Sequence, residues 1–237
     1  MKYIDLCEIY EKLEQTSKRL EKTYYIAKLL NKTKTDDIDV VLLLMQGKLF
    51  PDYDEKKIGV ASRLVLKAIA IATGEDVSKV EHKWKTIGDL GEIAKELIEK
   101  KKQRTLFSHD LSVKKVFENL RKLPELEGSG SVDQKIQLVA ELLTSAKPLE
   151  AKFIVRTVLE DLRVGVGEGA VRDAVVWSSF PKVVGIFFKC SKCKKYMPNA
   201  KKCVECDGEI ENKFNKEVKR FYGKNVLKLK STEELKN

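Results

Sequence analysis

The stretch SVDQKIQLVAELLTSAKPLEAKFIVRTVLEDL, residues 131–162, decides the fold class. Ser131 and Gln134 have the spacing of a capping box, which predicts that a helix begins there. Pro148 suits the first position of a second helix, and Gly165 is typical of a residue that ends one. Apolar residues recur at helical spacing in both segments: Ile136, Val139, Ala140 and Leu143, then Ala151, Ile154, Val155, Val158 and Leu162. Two amphipathic helices are therefore predicted.

The same spacing extends outward through most of the first 180 residues, where no strand-like alternation interrupts it. Further helices are predicted around residues 6–13, 20–27, 40–45, 59–72, 112–124 and 168–177. After Pro181 the texture changes, because residues 183–188 are short, β-branched and aromatic, as in a strand. We therefore predict an all-α multi-helix domain over residues 1–180 and a small domain with short β-strands over residues 181–237.

The positive charge is concentrated in the tail. Of the formal net charge of +10, residues 182–237 carry +8 and the preceding residues carry +2. A basic tail favours a polyanionic partner such as nucleic acid, although a solvated lysine-rich surface has the same composition. No apolar run approaches the roughly 18 residues of a membrane span, and the N-terminus lacks the apolar region of a signal peptide. We therefore expect no membrane partner and a cytoplasmic, nucleoid-associated protein.

Four of the five cysteines form two CxxC pairs separated by nine residues. They are Cys190 and Cys193, then Cys203 and Cys206. Two such knuckles supply the four tetrahedral thiolate ligands of a closed structural zinc site, so we predict a structural Zn²⁺ in a zinc ribbon. A redox dithiol or free thiols are the alternatives. No ligand position remains for water, which argues against catalytic zinc.

The zinc ribbon lies in a lysine-rich segment, with no acidic residue between positions 182 and 204. Four thiolates on Zn²⁺ carry a charge of −2, which brings the formal charge of the metal-loaded chain to +8. The surrounding lysines offset that charge locally and could contact DNA or RNA phosphates. Docking to a protein is the alternative role for the ribbon.

Three motifs in the helical part closely resemble the N-terminal domain of archaeal ATP-dependent DNA ligases. They are GSGSVDQK at residues 128–135, PLEAKFIVRTVL at 148–159 and LRVGVGEG at 162–169. Shorter matches occur at residues 18–23, 50–55 and 88–91. The resemblance covers about residues 1–177, in order and nearly without gaps. It implies an all-α domain that grips nicked duplex DNA across the minor groove through loops between helices.

The chain has residues suited to that role. Ser129, Gly130 and Ser131 would present N–H groups and hydroxyls at a helix N-terminus, with Lys135 one turn further on. The glycines of the third motif allow close approach of a sugar–phosphate backbone. Further candidate contacts are Arg156, Arg163, Gly165, Gly167 and Arg172, and the basic run that contains Lys101, Lys102 and Arg104. The alternatives are ordinary caps and turns for the glycines, an acidic partner for Arg156, and a solvated helix end for the basic run.

The catalytic motif of these ligases is missing from the sequence. Their Lys-x-Asp-Gly lysine attacks ATP, but Asp207-Gly208, the sole Asp-Gly pair, has Glu205 at the lysine position. We find no ATP site and expect that this chain does not ligate alone. Three hypotheses remain: a DNA-binding module, a subunit or truncated form of a ligase that needs a separate nucleotidyltransferase chain, and a zinc-ribbon adapter for a repair or replication protein.

Overall fold

The structure is a computed structural model that describes residues 1–101, 110–179, 187–198 and 202–211. The described residues form ten α-helices and one small antiparallel sheet. The helices are α1 (Tyr3–Glu14), α2 (Arg19–Leu30), α3 (Ile38–Met45), α4 (Ser62–Thr73), α5 (Val77–Ile87), α6 (Leu90–Lys100), α7 (Val113–Arg121), α8 (Ser131–Ser145), α9 (Pro148–Val158) and α10 (Glu168–Ser179). The strands are β1 (Phe187–Cys190), β2 (Tyr196–Pro198) and β3 (Ile210–Glu211). The predicted fold class is confirmed.

The chain divides into two compact units. The first comprises residues 1–15 and 33–167, and the second comprises residues 16–32 and 168–237. The second unit therefore takes α2 from the N-terminal part of the sequence and joins it to α10 and the cysteine-bearing sheet. The predicted boundary near Pro181 falls in residues 180–186, outside the described residues, and it stays a prediction.

The core of the first unit is built around α6 and α9, which pack closely along their length. Gly91 makes this approach possible, because a Cβ there would lie 2.8 Å from the backbone oxygen of Lys152 and 2.9 Å from Cγ of Arg156. A second extensive contact joins α4 to α8. Fully buried side chains such as Phe153 and Tyr10 fill the interior, with their rings 4.9 Å apart.

In the second unit, α2 packs along α10, and the sheet has the strand order β2-β1-β3. Both strand pairs are antiparallel, with Lys189 of β1 opposite Tyr196 of β2 and Glu211 of β3. The predicted strand at residues 183–188 overlaps β1, which begins at Phe187. Residues 183–186 lie outside the described residues.

Three helix boundaries differ from those predicted. The N-cap of α8 is Gly130 rather than Ser131, and no described side chain caps it, so the predicted capping box is wrong. The helix α9 ends at Val158, and residues 159–167 form a loop instead of a continuation to Gly165. The helix α4 begins at Ser62, three residues later than predicted. Among the described helices, none combines the length and apolar character that a bilayer span requires.

Candidate nucleic-acid interface and metal centre

A buried charge network in the first unit centres on Asp89, the N-cap of α6. Its Oδ1 accepts a hydrogen bond from the backbone N–H of Gly91 at 2.8 Å. Its Oδ2 accepts one from Nη2 of Arg156 at 2.7 Å and one from Nη1 of Arg163 at 3.2 Å. One carboxylate thus joins the start of α6, the last turns of α9 and the loop that follows α9.

The network continues along α9 to α1. Nζ of Lys152 lies 2.8 Å from Glu14 and 2.6 Å from Glu92, and Nη2 of Arg156 lies 3.1 Å from Glu14. Arg156 is 3% exposed and Lys152 is 4% exposed. Buried cations of this kind require acidic partners because the loss of hydration would otherwise be uncompensated.

Two acids of the network, Asp89 and Glu14, are held ionised. Burial alone would raise the pKa of Asp89, but the hydrogen bond and the charge of Arg156 outweigh it and hold that pKa below its ordinary value. The pKa of Glu14 is likewise lowered, since Arg156 and Lys152 more than offset its partial burial. Both carboxylates therefore favour the folded state at neutral pH.

The loop after α9 is anchored by alternate buried residues. Leu162 and Val164 are buried, whereas Arg163, Gly165 and Gly167 are exposed. Arg163 has a left-handed backbone conformation, with φ of 58°, and its Nε donates to Asp161 at 2.7 Å. A non-glycine residue in that conformation is uncommon and is kept there by its surroundings. The network and the two apolar anchors thus hold an exposed segment in one shape.

The turn before α8 also exposes backbone. Gly128 and Gly130 have φ of 86° and 82°, a left-handed conformation that glycine adopts at little cost. Ser129 is exposed, Ser131 is half-buried, and Lys135 lies one turn inside α8, half-buried. The first N–H groups of a helix have no partner within the helix and can bind an anion, although the N–H of Ser131 donates to the backbone oxygen of Gly128 at 3.3 Å.

The remaining sequence candidates occupy other settings. Arg156 pairs with acids, which is the alternative that the sequence left open for it. Arg172 lies on α10 in the second unit, with its side chain 77% exposed and 3.6 Å from Asp173. Lys101 donates from Nζ to the backbone oxygen of Ala72 at 2.8 Å. Lys102 and Arg104 lie outside the described residues.

The four cysteines of the second unit converge on one point. Their Sγ atoms all lie within 4.8 Å of one another, and two Sγ pairs are 3.6 Å apart. A tetrahedron with zinc–sulfur bonds of about 2.3 Å has edges of about 3.8 Å, so the donor set fits Zn²⁺. Cys190 and Cys203 are buried, and backbone N–H groups of Cys193 and Glu205 donate to their sulfurs at 3.4 Å. The arrangement suits a metal ion held by four thiolates.

A carboxylate between the ligands of the second knuckle faces α2. Glu205 accepts hydrogen bonds from Tyr24 and Lys28 of α2 and from Lys195 of the first knuckle. Burial would raise the pKa of Glu205, but the two lysines overcome it and lower that pKa to about 2. In contrast, Lys192, Lys194 and Lys202 are exposed around the same centre.

The described residues form a mostly helical protein with a four-cysteine centre on a small sheet, and comparison with known proteins identifies the helical part. The family model described as DNA ligase N terminus matches residues 2–176. The chain belongs to this family, and the resemblance noted from its motifs is confirmed.

Relatives of the chain include archaeal DNA ligases. A DNA ligase of Methanosphaera stadtmanae is 47% identical over 176 residues, which are 73% of this chain and 32% of that ligase. DNA ligases of Thermococcus onnurineus and Nanoarchaeum equitans are 42% and 45% identical, each over 74% of this chain and 31% of the ligase. The chain therefore spans 31% to 32% of the length of these relatives.

Sequence reasoning missed the acids that organise both units. Asp89 precedes an apolar helical segment and is a legible N-cap, but nothing local connects it to Arg156, 67 residues away. Glu205 drew attention through its place before Asp207-Gly208, whereas its contacts with α2 span 177 residues of sequence. Both partnerships depend on tertiary packing.

We expect Asp89→Asn to lower the free energy of unfolding by about 3 kcal/mol at pH 7, because it leaves the buried Arg156 without its nearest carboxylate. Since the folded-state pKa of Asp89 is depressed, its contribution exists above the unfolded-state pKa of about 4 and disappears as pH falls through the folded-state value. Urea unfolding at several pH values measures this, and the difference from the parent should vanish in acid.

The matched control is Asp161→Asn, which removes the exposed ion pair with Arg163 and should cost less than about 1 kcal/mol. Equal losses of unfolding free energy in the two variants would show that Asp89 stabilises the fold no more than an exposed ion pair does.

We expect Gly208→Ala to weaken zinc binding on the order of tenfold, in the range seen when groups supporting metal ligands are altered. The new Cβ would lie 2.8 Å from Cβ of Lys192 and 3.1 Å from Sγ of Cys190, which forces the knuckles apart. Competition of the zinc-loaded chain with a chelator measures the change. Glu209→Gln, an exposed neighbour, should bind as the parent does, and unchanged affinity of Gly208→Ala would contradict the packing argument.

Proposed function

We propose that the chain is a DNA-binding module that holds duplex or nicked DNA through minor-groove and backbone contacts. The observation that carries this proposal is the match of residues 2–176 to the N-terminal domain of DNA ligases. The ligase relatives named above supply the class of partner, and the exposed turn and loop of the first unit supply plausible contact groups. A role in DNA repair, replication or recombination and a nucleoid-associated location accompany this proposal.

In the first unit, the proposed contact groups come from the turn before α8 and the loop after α9. Ser129, Gly130, Ser131 and Lys135 would contact a phosphate through amides, hydroxyls and an ammonium group. In the loop after α9, the proposed contact residues are Arg163, Gly165 and Gly167. We do not propose Arg156 as a DNA contact, because its guanidinium is buried and paired with acids. Its proposed role is to hold the loop in place.

Gly167 supplies the most specific argument for close approach. In the described part of the chain, no atom would lie within 4 Å of a Cβ at this position. Its backbone is outside the left-handed region that favours glycine. Neither packing nor backbone conformation therefore requires glycine there, which supports a role in admitting an external backbone.

In the second unit, Arg172 and the exposed knuckle lysines 192, 194 and 202 are proposed as additional phosphate contacts. We propose Zn²⁺ as the metal that the four thiolates hold. The ribbon has no open ligand position, so its contribution would be structural and electrostatic. Docking of the ribbon to a repair or replication protein is the competing role.

The alternative function is that of a ligase component whose nucleotidyltransferase lies on a separate chain. The similarity to DNA ligases favours it, whereas the glutamate at the lysine position of the Asp207-Gly208 pair gives this chain no nucleophile for ATP. The DNA-binding proposal is common to both alternatives. They differ in what must be added for activity.

We expect Gly167→Ala to weaken binding to nicked duplex DNA while leaving the free energy of unfolding unchanged or slightly raised.

Lys135→Ala should weaken binding and reduce the dependence of log affinity on log salt by about one unit. Fluorescence anisotropy with a labelled nicked duplex across a salt series measures both effects. Lys67→Ala, an exposed lysine on α4, is the control and should behave as the parent does.

A Gly167→Ala variant that binds as tightly as the parent would remove the loop from the interface. Affinity that does not change with salt would count against phosphate contacts altogether. Comparison of nicked with intact duplex then measures nick preference.

Incubation with labelled ATP and Mg²⁺ should leave no stable AMP adduct on the purified chain, because Glu205 is engaged by Lys28 and Lys195 and is not a lysine nucleophile. Denaturing electrophoresis with detection of the label provides the measurement. A labelled chain would overturn the non-catalytic proposal, and a full-length archaeal ligase is the positive control.

A further inference from the structure

The second cysteine knuckle is attached to α2 through Glu205. Oε1 of Glu205 accepts a hydrogen bond from the hydroxyl of Tyr24 at 3.3 Å and is paired with Nζ of Lys28. Its Oε2 lies 3.3 Å from Nζ of Lys195, on the first knuckle. Tyr24 and Lys28 are one turn apart and present adjacent donors, so one carboxylate bridges a helix face and both knuckles.

The position of that carboxylate depends on the cysteine centre. Glu205 lies between two of the four thiols, and its backbone N–H donates to Sγ of Cys203 at 3.4 Å. The N–H of Asp207 donates to the backbone oxygen of Cys203 at 2.9 Å, which closes the knuckle. Four thiolates this close repel one another without a cation between them, and metal binding in such small sites supplies much of the local folding free energy. Metal loading therefore fixes where Glu205 points.

A second set of contacts joins α2 to α10. Nη2 of Arg19 lies 2.7 Å from Oδ2 of Asp173, and the two helices pack along their length. A Cβ at Gly169 would lie 3.2 Å from Nη2 of Arg19, so the guanidinium passes close over the first turn of α10. All of α2 and the greater part of α10 lie within the matched part of the chain, which ends at residue 176.

We propose that the four-cysteine centre is a metal-dependent clamp on the ligase-type helices α2 and α10, with Glu205 as the positioning residue that links the metal site to α2. The partner of this ribbon surface is thus a helix of the same chain. The proposal goes beyond the proposed function and does not rest on DNA binding. It can fail while that function holds, and the reverse is equally true.

Charge distribution on the ribbon favours this partner. Glu205, Asp207 and Glu209 are all exposed as whole residues, but the side chain of Glu205 is only 20% exposed. Glu205 alone among the three has its carboxylate matched to donors of α2, and a partly buried, multiply bonded carboxylate contributes more than an exposed pair does. A reversal of the charges at positions 28 and 205 should therefore change the stability of this contact by a measurable amount.

The experiment measures amide hydrogen exchange in the full chain, loaded with one equivalent of Zn²⁺ or stripped with a chelator. Stripping should raise exchange in α2 and α10, on the order of tenfold or more, while α6 of the first unit keeps its protection. In the zinc-loaded protein, Lys28→Glu and Glu205→Lys should each raise exchange in α2. The double variant, which restores opposite charges, should recover most of the protection.

The matched control is Glu209→Lys, which makes the same charge change on the ribbon and should leave α2 as in the parent. Zinc content is measured for every variant. If Glu205→Lys fails to retain the metal, Glu205→Gln compared with Glu209→Gln provides the same test at constant size.

The clamp is overturned if stripping leaves the exchange of α2 unchanged, or if α6 loses protection to the same extent, which would make the metal a general support of the fold. It is also overturned if the double charge exchange protects α2 no better than the two single variants predict by addition.

Discussion

The first unit depends on the hydrogen bonds and ion pairs made by the carboxylate of Asp89. This carboxylate caps α6, pairs with the buried Arg156 and holds Arg163 in the loop after α9. Loss of this carboxylate would remove all three attachments at once and would leave the buried Arg156 with the more distant Glu14 and Glu92, which costs the protein several kcal/mol. The shape of the exposed loop is therefore set from the interior, because the same charges that stabilise the helix pair also fix the segment that faces solvent.

Sequence reasoning succeeded where the signal is local. Helical spacing located α8 and α9, Pro148 does begin α9, and the spacing of the cysteines predicted four thiols around one point. It failed at the start of α8, because the S-x-x-Q pattern describes compatible residue types and cannot decide whether the chain enters the helix at Ser131 or through the left-handed Gly130. It also ran α9 too far, since Leu162 continues the apolar spacing although it is an anchor of the loop.

Long-range charge pairs explain most of what the sequence could not reveal. Arg156 was a candidate DNA contact because it lies in the second ligase-like motif, with an acidic partner as the alternative. Its partners come from α1 and α6, and only folding brings them together. The same holds for α2 and the ribbon: composition changes near Pro181, yet the contacts of Glu205 place α2 in the unit that contains the cysteine centre. A change in composition marks a boundary between residues that are adjacent in the sequence, whereas a compact unit is made of residues that are adjacent in space.

Three glycines separate what folding requires from what a ligand would require. A Cβ at Gly91 would meet the backbone of α9, and one at Gly208 would meet the first knuckle, so packing explains both residues. Gly167 has neither a close neighbour among the described residues nor a left-handed backbone, and stability alone would favour alanine there. A residue that lowers stability without serving the fold is expected where another molecule approaches, and Gly167 lies in the loop that the Asp89 network holds in shape. The interior charges and the exposed glycine thus both support the proposed approach of a sugar–phosphate backbone to this loop.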